Sequence, residues 1–260
     1  MPEARRSHPR DFVASLEKGL KVLLCFDRKH ARLSLSDVAR LTGYTPAAAR
    51  RLLMTLQALD YLHSDGKRYW VAPRTLLLAR PYLGSRAAPQ VAQPILDKLA
   101  DRTRQSASLG VLLDNEILII ARSTGRRTLS TGLGIGSRLP VFCSALGRAV
   151  LSCMTAQEAL AHLACTPMDK WTAKTVDNVP SAVESVECCR TLGWAQCDEE
   201  LEMGVRSIAV PIPNGPNSSF AALSLSVRAE RMTMDAFRHA HLAAIEEARD
   251  ELIRSKVTFD

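Results

Sequence analysis

A chain of 260 residues with 47% hydrophobic content, and with no run near the ~18 consecutive apolar residues a bilayer span needs, is expected to fold as a globular protein of about two domains. Seven cysteines, an odd number without regular spacing that includes the neighbours Cys188 and Cys189, argue against a disulfide framework; the charged start "MPEARRSHPR" has no apolar signal core, so a reduced, cytoplasmic chain with no membrane partner is expected. The net charge of +7 is lopsided, because residues 1–86 hold 16 Lys and Arg against 7 Asp and Glu whereas the other 174 hold 18 against 20; only the first third suits a polyanion.

In chain order, "FVASLEKGLKVLLCFD" spaces Phe12, Val13, Leu16, Leu20, Leu23 and Leu24 as one amphipathic helix over residues 12–27. "LSLSDVARLTG" predicts a two-turn helix capped by Ser36 and stopped by Gly43. A third helix follows, with Thr45 as its cap and Pro46 at its first position, where a missing N–H costs nothing. Its core face is Ala49, Leu52, Leu53, Leu56 and Leu59; Ala47, Arg50, Arg51 and Met54 fall on the other side. In "DYLHSDGKRYWVAP", the Asp65–Gly66 turn joins two short strands and places Lys67 and Arg68 at the tip.

Short helix, tight turn, cationic third helix and basic hairpin make a winged helix-turn-helix over residues 12–72. Thr45, Pro46, Ala47, Arg50, Arg51, Lys67 and Arg68 are the candidate contacts to double-stranded promoter DNA. The alanine lets the backbone approach, and the arginines reach guanine edges or phosphates. Residues 73–86 read as a linker helix, and residues 87–257 as an α+β domain with an antiparallel sheet.

Within that domain, "VAQPILDKLADRTRQS" predicts a helix and "SLGVLLDNEILIIARSTG" two strands around Asp114, Asn115 and Glu116. "RTLSTGLGIGSRLP" reads as a third strand ending in a loop, and "FCSALGRAVLSCM" as a helix. Helices near 155–163 and 180–192 precede three strands, "GWAQCDEE", "VRSIAVPIP" and "FAALSLSV", and a last helix over 233–255. Alternation in "FAALSLSV" puts Ser224 and Ser226 on one face and Leu223, Leu225 and Val227 on the other.

These segments resemble the IclR family of bacterial transcription regulators from about Phe12 to Ile253; "SLEKGLKVLLCFD", "LSDVARLTG", "GIGSRLPVFCSALGRAVL" and "DEELEMGVRSIAVPI" carry the resemblance. "FVASLEKGLKVL" and "AARRLLMTL" are most similar to the branch controlling aromatic-acid catabolism, with its protocatechuate, β-ketoadipate and 4-hydroxybenzoate regulators. The resemblance implies a GAF-like effector domain for a small organic acid, aromatic or β-keto, and homodimers that pair into tetramers. It implies no cofactor, no metal and no enzymatic activity, and leaves room for contact with RNA polymerase.

Residue by residue, the resemblance puts the amides of Ala145 and Leu146 against a ligand carboxylate, consistent with the donors that helix N-termini present. It also puts Leu133 and Val205 at apolar pocket positions, and Ser207, Ser224 and Ser226 at polar ones. Cys197 stands where glyoxylate-type members have an acid, which favours a larger or less polar effector. Arg122, Arg126 and Arg206 are candidates for a second carboxylate, Arg126 foremost. Two rival classes remain. For an enzyme, "GLGIG" departs from a dinucleotide loop at Ser137, no G-x-S-x-G occurs, and no histidine sits in a catalytic or metal pattern. For a protein-binding adaptor, the discriminating property is an affinity indifferent to salt. A regulator of the same family answering to a non-aromatic keto acid is a third alternative.

Overall fold

The computed structural model describes residues 11–27, 29–85, 87–125, 132–213 and 220–259. The chain divides after residue 85 into two compact units.

The N-terminal unit holds helices α1 (Ala14–Leu23), α2 (Leu35–Thr42) and α3 (Pro46–Ala58) and a three-stranded antiparallel sheet ordered β1 (Leu33–Ser34), β3 (Arg68–Val71), β2 (Leu62–Ser64). A 3-10 turn at Pro73–Thr75 and helix α4 (Leu76–Ser85) complete it. Its core is Val22, Leu33, Val38, Ala49, Leu53, Leu56 and Leu62.

Three expectations for this unit are corrected. Ser34, not Ser36, caps α2: its Oγ accepts from the Asp37 amide at 3.2 Å while Asp37 Oδ2 accepts from the Ser34 amide at 3.0 Å, a reciprocal box open only to residues three apart. The first helix is shorter than residues 12–27, and only Val22 of it is buried; Leu16 and Leu24 are 63% and 77% exposed. Leu59 sits past the end of α3 and is exposed, because the helix stops before turning it inward.

The larger unit is a six-stranded antiparallel sheet flanked by helices. Its strands are β4 (Ser106–Leu113), β5 (Glu116–Ser123), β6 (Arg138–Pro140), β7 (Ala195–Asp198), β8 (Val205–Ile212) and β9 (Ala221–Arg228), in the order β6-β5-β4-β9-β8-β7. Helices α5 (Ala87–Thr103) and α9 (Met234–Arg254) pack on it, as does the short α6 (Ala145–Ser152). Alternation requires two faces. Ile117, Ile119, Cys197, Ala209 and Ala222 share a core with α6, α7 (Ala156–Cys165) and α8 (Val179–Leu192), so Ile208, Leu223 and Leu225 point to the other side.

The α+β reading with an antiparallel sheet therefore holds. The start of the "RTLSTGLGIGSRLP" segment, where a strand is expected, lies outside the described residues; the described part ends in a strand, β6. Before it the chain turns, with Gly132 and Gly136 at φ of 76° and 87° and the Ser137 Oγ accepting from the Gly134 amide at 2.9 Å. "GLGIG" is that turn.

Candidate functional site

Two sites emerge, one in each unit. At the first, the Thr45 side chain accepts from the Ala48 amide at 3.3 Å and Pro46 opens α3, so the helix begins abruptly behind the left-handed Gly43. Ala47, Arg50 and Arg51 are exposed on its outer side. In the hairpin the Asp65 Oδ1 accepts from the amides of Lys67 (2.9 Å) and Arg68 (2.8 Å), which fixes the tip and leaves both cationic side chains in solvent. These two bonds hold the Asp65 carboxyl below the usual range.

Arginines nearby are engaged differently. Arg40 pairs with Asp37 and Arg74 with Asp60, whereas no ion pair reaches Arg50, Arg51, Lys67 or Arg68 among the described residues. The four uncompensated cations make this an anion-facing surface. Arg32, which sequence reasoning missed, lies over the Trp70 ring at 4.3 Å and 4.0 Å from Asp65. Its partners are distant in sequence, so no local pattern announces it.

The second site is a cavity of about 40 Å³ between the sheet and the start of α6. Of the predicted effector residues, Leu133, Ala145, Leu146, Cys197, Val205, Ser207, Ser224 and Ser226 line it together. Arg126 lies outside the described residues. Lining residues that the prediction lacked are Ser108, Ile119, Leu139, Ser144, Leu201 and Glu202. They come from strands whose sequences show only ordinary alternation.

Ser144 caps α6, accepting from the Gly147 amide at 3.1 Å and donating to the Pro140 carbonyl at 2.6 Å. No acceptor among the described residues reaches the amides of Ala145 and Leu146, which leaves them as the donors a carboxylate would use. Gly147 lets this helix end come close, since a Cβ there would stand 2.3 Å from the Val141 carbonyl oxygen.

The three candidate arginines separate. Arg122 lines the cavity and donates from Nη1 to Ser108 Oγ at 2.6 Å. Arg206 does not: it pairs with Asp198 at 2.6 Å and donates to the carbonyls of Ala229 and Met232, so it is spent on the β7–β8 connection. Behind the cavity wall Arg148 and Glu200 form a buried pair, Nη1–Oε1 2.7 Å and Nη2–Oε2 2.5 Å, with Arg148 also donating to the carbonyls of Phe142 and Gln196. Within "CDEELE", Asp198 pairs with Arg206 whereas Glu200 turns inward to Arg148.

Burial pushes the Cys143 thiol up to about 12 and raises Cys197 as well, so both stay neutral at physiological pH. Cys197 donates to the Cys143 carbonyl at 3.1 Å. Its role at the wall is that of a small, weakly polar group. Among the described residues no cluster of His, Cys, Asp or Glu could hold a metal ion, and no helix is long and apolar enough to cross a membrane.

Comparison with known proteins gives the following. Residues 15–66 match the family model described as the IclR helix-turn-helix domain, and residues 81–253 the one described as bacterial transcriptional regulator IclR C-terminal. The Pca regulon regulatory protein of Pseudomonas putida is 35% identical over 243 residues, 93% of this chain and 84% of that protein. The p-hydroxybenzoate hydroxylase transcriptional activator of Acinetobacter baylyi is 31% identical over 227 residues, 85% of this chain and 84% of that protein. A chain from Rhodococcus sp. RHA1 described as a transcriptional regulator superposes with a TM-score of 0.77 at 34% identity, covering 93% of this chain and 97% of that one.

Proposed function

This chain belongs to the IclR family of bacterial transcriptional regulators, and from that premise we propose how its two sites divide the work. It is a DNA-binding regulator, not an enzyme. Helix α3 enters the major groove, with Arg50 and Arg51 on base edges or phosphates, Thr45, Pro46 and Ala47 at the close-approach end, and Lys67 and Arg68 on the flanking backbone. The observation that carries this reading is the set of four exposed cations on α3 and the adjacent hairpin that meet no ion-pair partner among the described residues. The setting is the cytoplasm, and the working unit a homodimer that can pair into a tetramer. Contact with RNA polymerase would follow from operator position.

The cavity takes a small carboxylic acid, its carboxylate on the amides of Ala145 and Leu146 and its body against Leu133 and Val205. One relative is named for activating a p-hydroxybenzoate hydroxylase, which supports an aromatic acid. A cavity of about 40 Å³ is well short of the ~150 Å³ that admits benzene in a protein interior. A ring therefore enters only as the lining moves, and that movement supplies the difference between states on which a switch depends.

Fluorescence anisotropy with duplexes selected in vitro tests the DNA half. Affinity should fall by about 0.9 log units per released phosphate contact for each decade of salt. A response flat in salt would replace DNA with a protein partner. Arg50→Ala should cost about 1–3 kcal/mol and relax base preference at one position; an equal loss on every sequence would make Arg50 a phosphate contact only.

A further inference from the structure

Arg32 and Trp70 form a unit on the outer face of the three-stranded sheet. Leu33 stands opposite Tyr69 in the β1–β3 ladder, so one residue further along Arg32 comes level with Trp70, which is paired on its other side with His63. Leu33 and Leu62 belong to the core, and alternation therefore puts Arg32, Trp70 and His63 on the opposite face. There the Arg32 guanidinium lies 4.3 Å from the centre of the Trp70 ring, with Nη1 4.0 Å from Asp65 Oδ2. The His63 ring packs against the tryptophan from the β2 side at 6.3 Å. The arginine side chain thus starts on the edge strand β1, crosses the ring on β3 and ends beside the turn that carries Lys67 and Arg68.

Two observations set this arrangement apart from ordinary packing. The core of the unit is built without either residue, and Arg32 keeps 57% of its side chain in solvent, so the stack serves a surface and not the interior. Asp65 does not neutralise the cation: one carboxylate is set against Arg32, Lys67 and Arg68, and its Oδ1 is occupied by two backbone amides. An exposed pair at 4.0 Å is also weak and screened by salt. A guanidinium stacked on a ring keeps its in-plane N–H donors free, and because it is already held flat it loses less rotamer freedom when those donors meet an oxygen.

We propose that Arg32 is a further DNA contact and Trp70 its positioning residue: the ring holds the guanidinium beside the hairpin tip, where its outward N–H edge takes a backbone phosphate. This rests on the DNA reading of α3 and the hairpin and extends that surface to β1. A phosphate is matched by the planar donor fork, which a flexible lysine at the same place would lack.

Fluorescence anisotropy on the full chain tests it, with a duplex selected in vitro and a mixed-sequence duplex of equal length, each titrated at several salt concentrations. Arg32→Gln should weaken both duplexes alike, by about three- to tenfold per bound subunit. It should also flatten the slope of log affinity against log salt by about 0.9 per subunit, one phosphate contact. Trp70→Leu should lose most of the same affinity with the charge still in place, Trp70→Phe should restore it, and the double variant Arg32→Gln with Trp70→Leu should be no weaker than Arg32→Gln alone. Thermal melts check that each variant folds, and Arg32→Gln, at an exposed position, reports on the contact independently of the ring. An unchanged slope in Arg32→Gln, or a loss confined to the selected duplex, overturns the phosphate contact. Wild-type affinity in Trp70→Leu, or a Trp70→Phe as weak as Trp70→Leu, overturns the positioning role. A wild-type chain that binds neither duplex overturns the DNA reading itself.

Discussion

A methyl group at position 147 has nowhere to go. Built on Gly147 it would lie 2.3 Å from the Val141 carbonyl oxygen and 2.4 Å from its Cα, and backbone cannot swing aside as a side-chain tip does. Gly147→Ala should therefore push α6 off the sheet, lowering stability by about 1–3 kcal/mol in a thermal melt. The amides of Ala145 and Leu146 move with the helix, so acid binding measured by calorimetry should weaken as well; unchanged affinity would separate those amides from the site. Two aspartates in the N-terminal unit give a pH test. Hydrogen bonds from the Ser34 side chain and amide hold the Asp37 carboxyl below 3.8, and the Arg68 and Lys67 amides do the same for Asp65. A depressed folded value means stability that is present above the unfolded pKa and lost as pH falls through the folded one. Acid denaturation below pH 3.8 should thus be shallower in Asp37→Asn and Asp65→Asn than in the wild type, and equal slopes would contradict the assignment.

At the scale of elements, the cavity has two walls: the loop and first turn of α6, and the β7–β8 connection with Leu201 and Val205. Arg148 and Glu200 join them, their side chains only 5% and 11% exposed, and Arg148 adds the carbonyls of Phe142 and Gln196. The Thr175 hydroxyl also donates to the Glu200 carbonyl at 2.6 Å. A buried pair contributes little net stability, but breaking one partner strands the other without compensation. Arg148→Met or Glu200→Leu alone should cost about 3–5 kcal/mol, and the double variant far less than their sum; additive losses in denaturant melts would mean that the pair is not coupled. This clamp was not legible beforehand, because its members are far apart in sequence and each looks like an ordinary surface charge. The serine alternation of β9 was legible, since period two depends only on neighbours.

For the molecule as a whole, the N-terminal unit has more apolar surface than its own core uses. Leu16, Leu20 and Leu24 of the first helix region, and Leu76, Leu77 and Leu78 at the start of α4, are all exposed. Apolar positions at helical spacing that stay in water call for a partner surface, and a second copy of the chain fits the proposal of a homodimer. Leu16→Glu combined with Leu20→Glu should leave circular dichroism unchanged, give a monomer by light scattering and lower DNA affinity. A dimer that survives both substitutions would place the interface elsewhere.

The candidate effector residues came from the family resemblance, whereas the order of helices and strands, the basic first third, the cap and proline that open α3, and the serine alternation of β9 were legible in the sequence. Each depends on spacing within a few residues: helical or strand period, a capping side chain, a turn glycine. The same local periodicity misassigned α1, because it reports that a face is apolar and not what covers it. Strand register decided the rest. Six strands in a non-sequential order bring Arg122 into line with the serines of β4 and β9 and place Arg148 against Glu200. Pairings across such distances are set by how whole layers close on a shared core, which no short window of sequence contains.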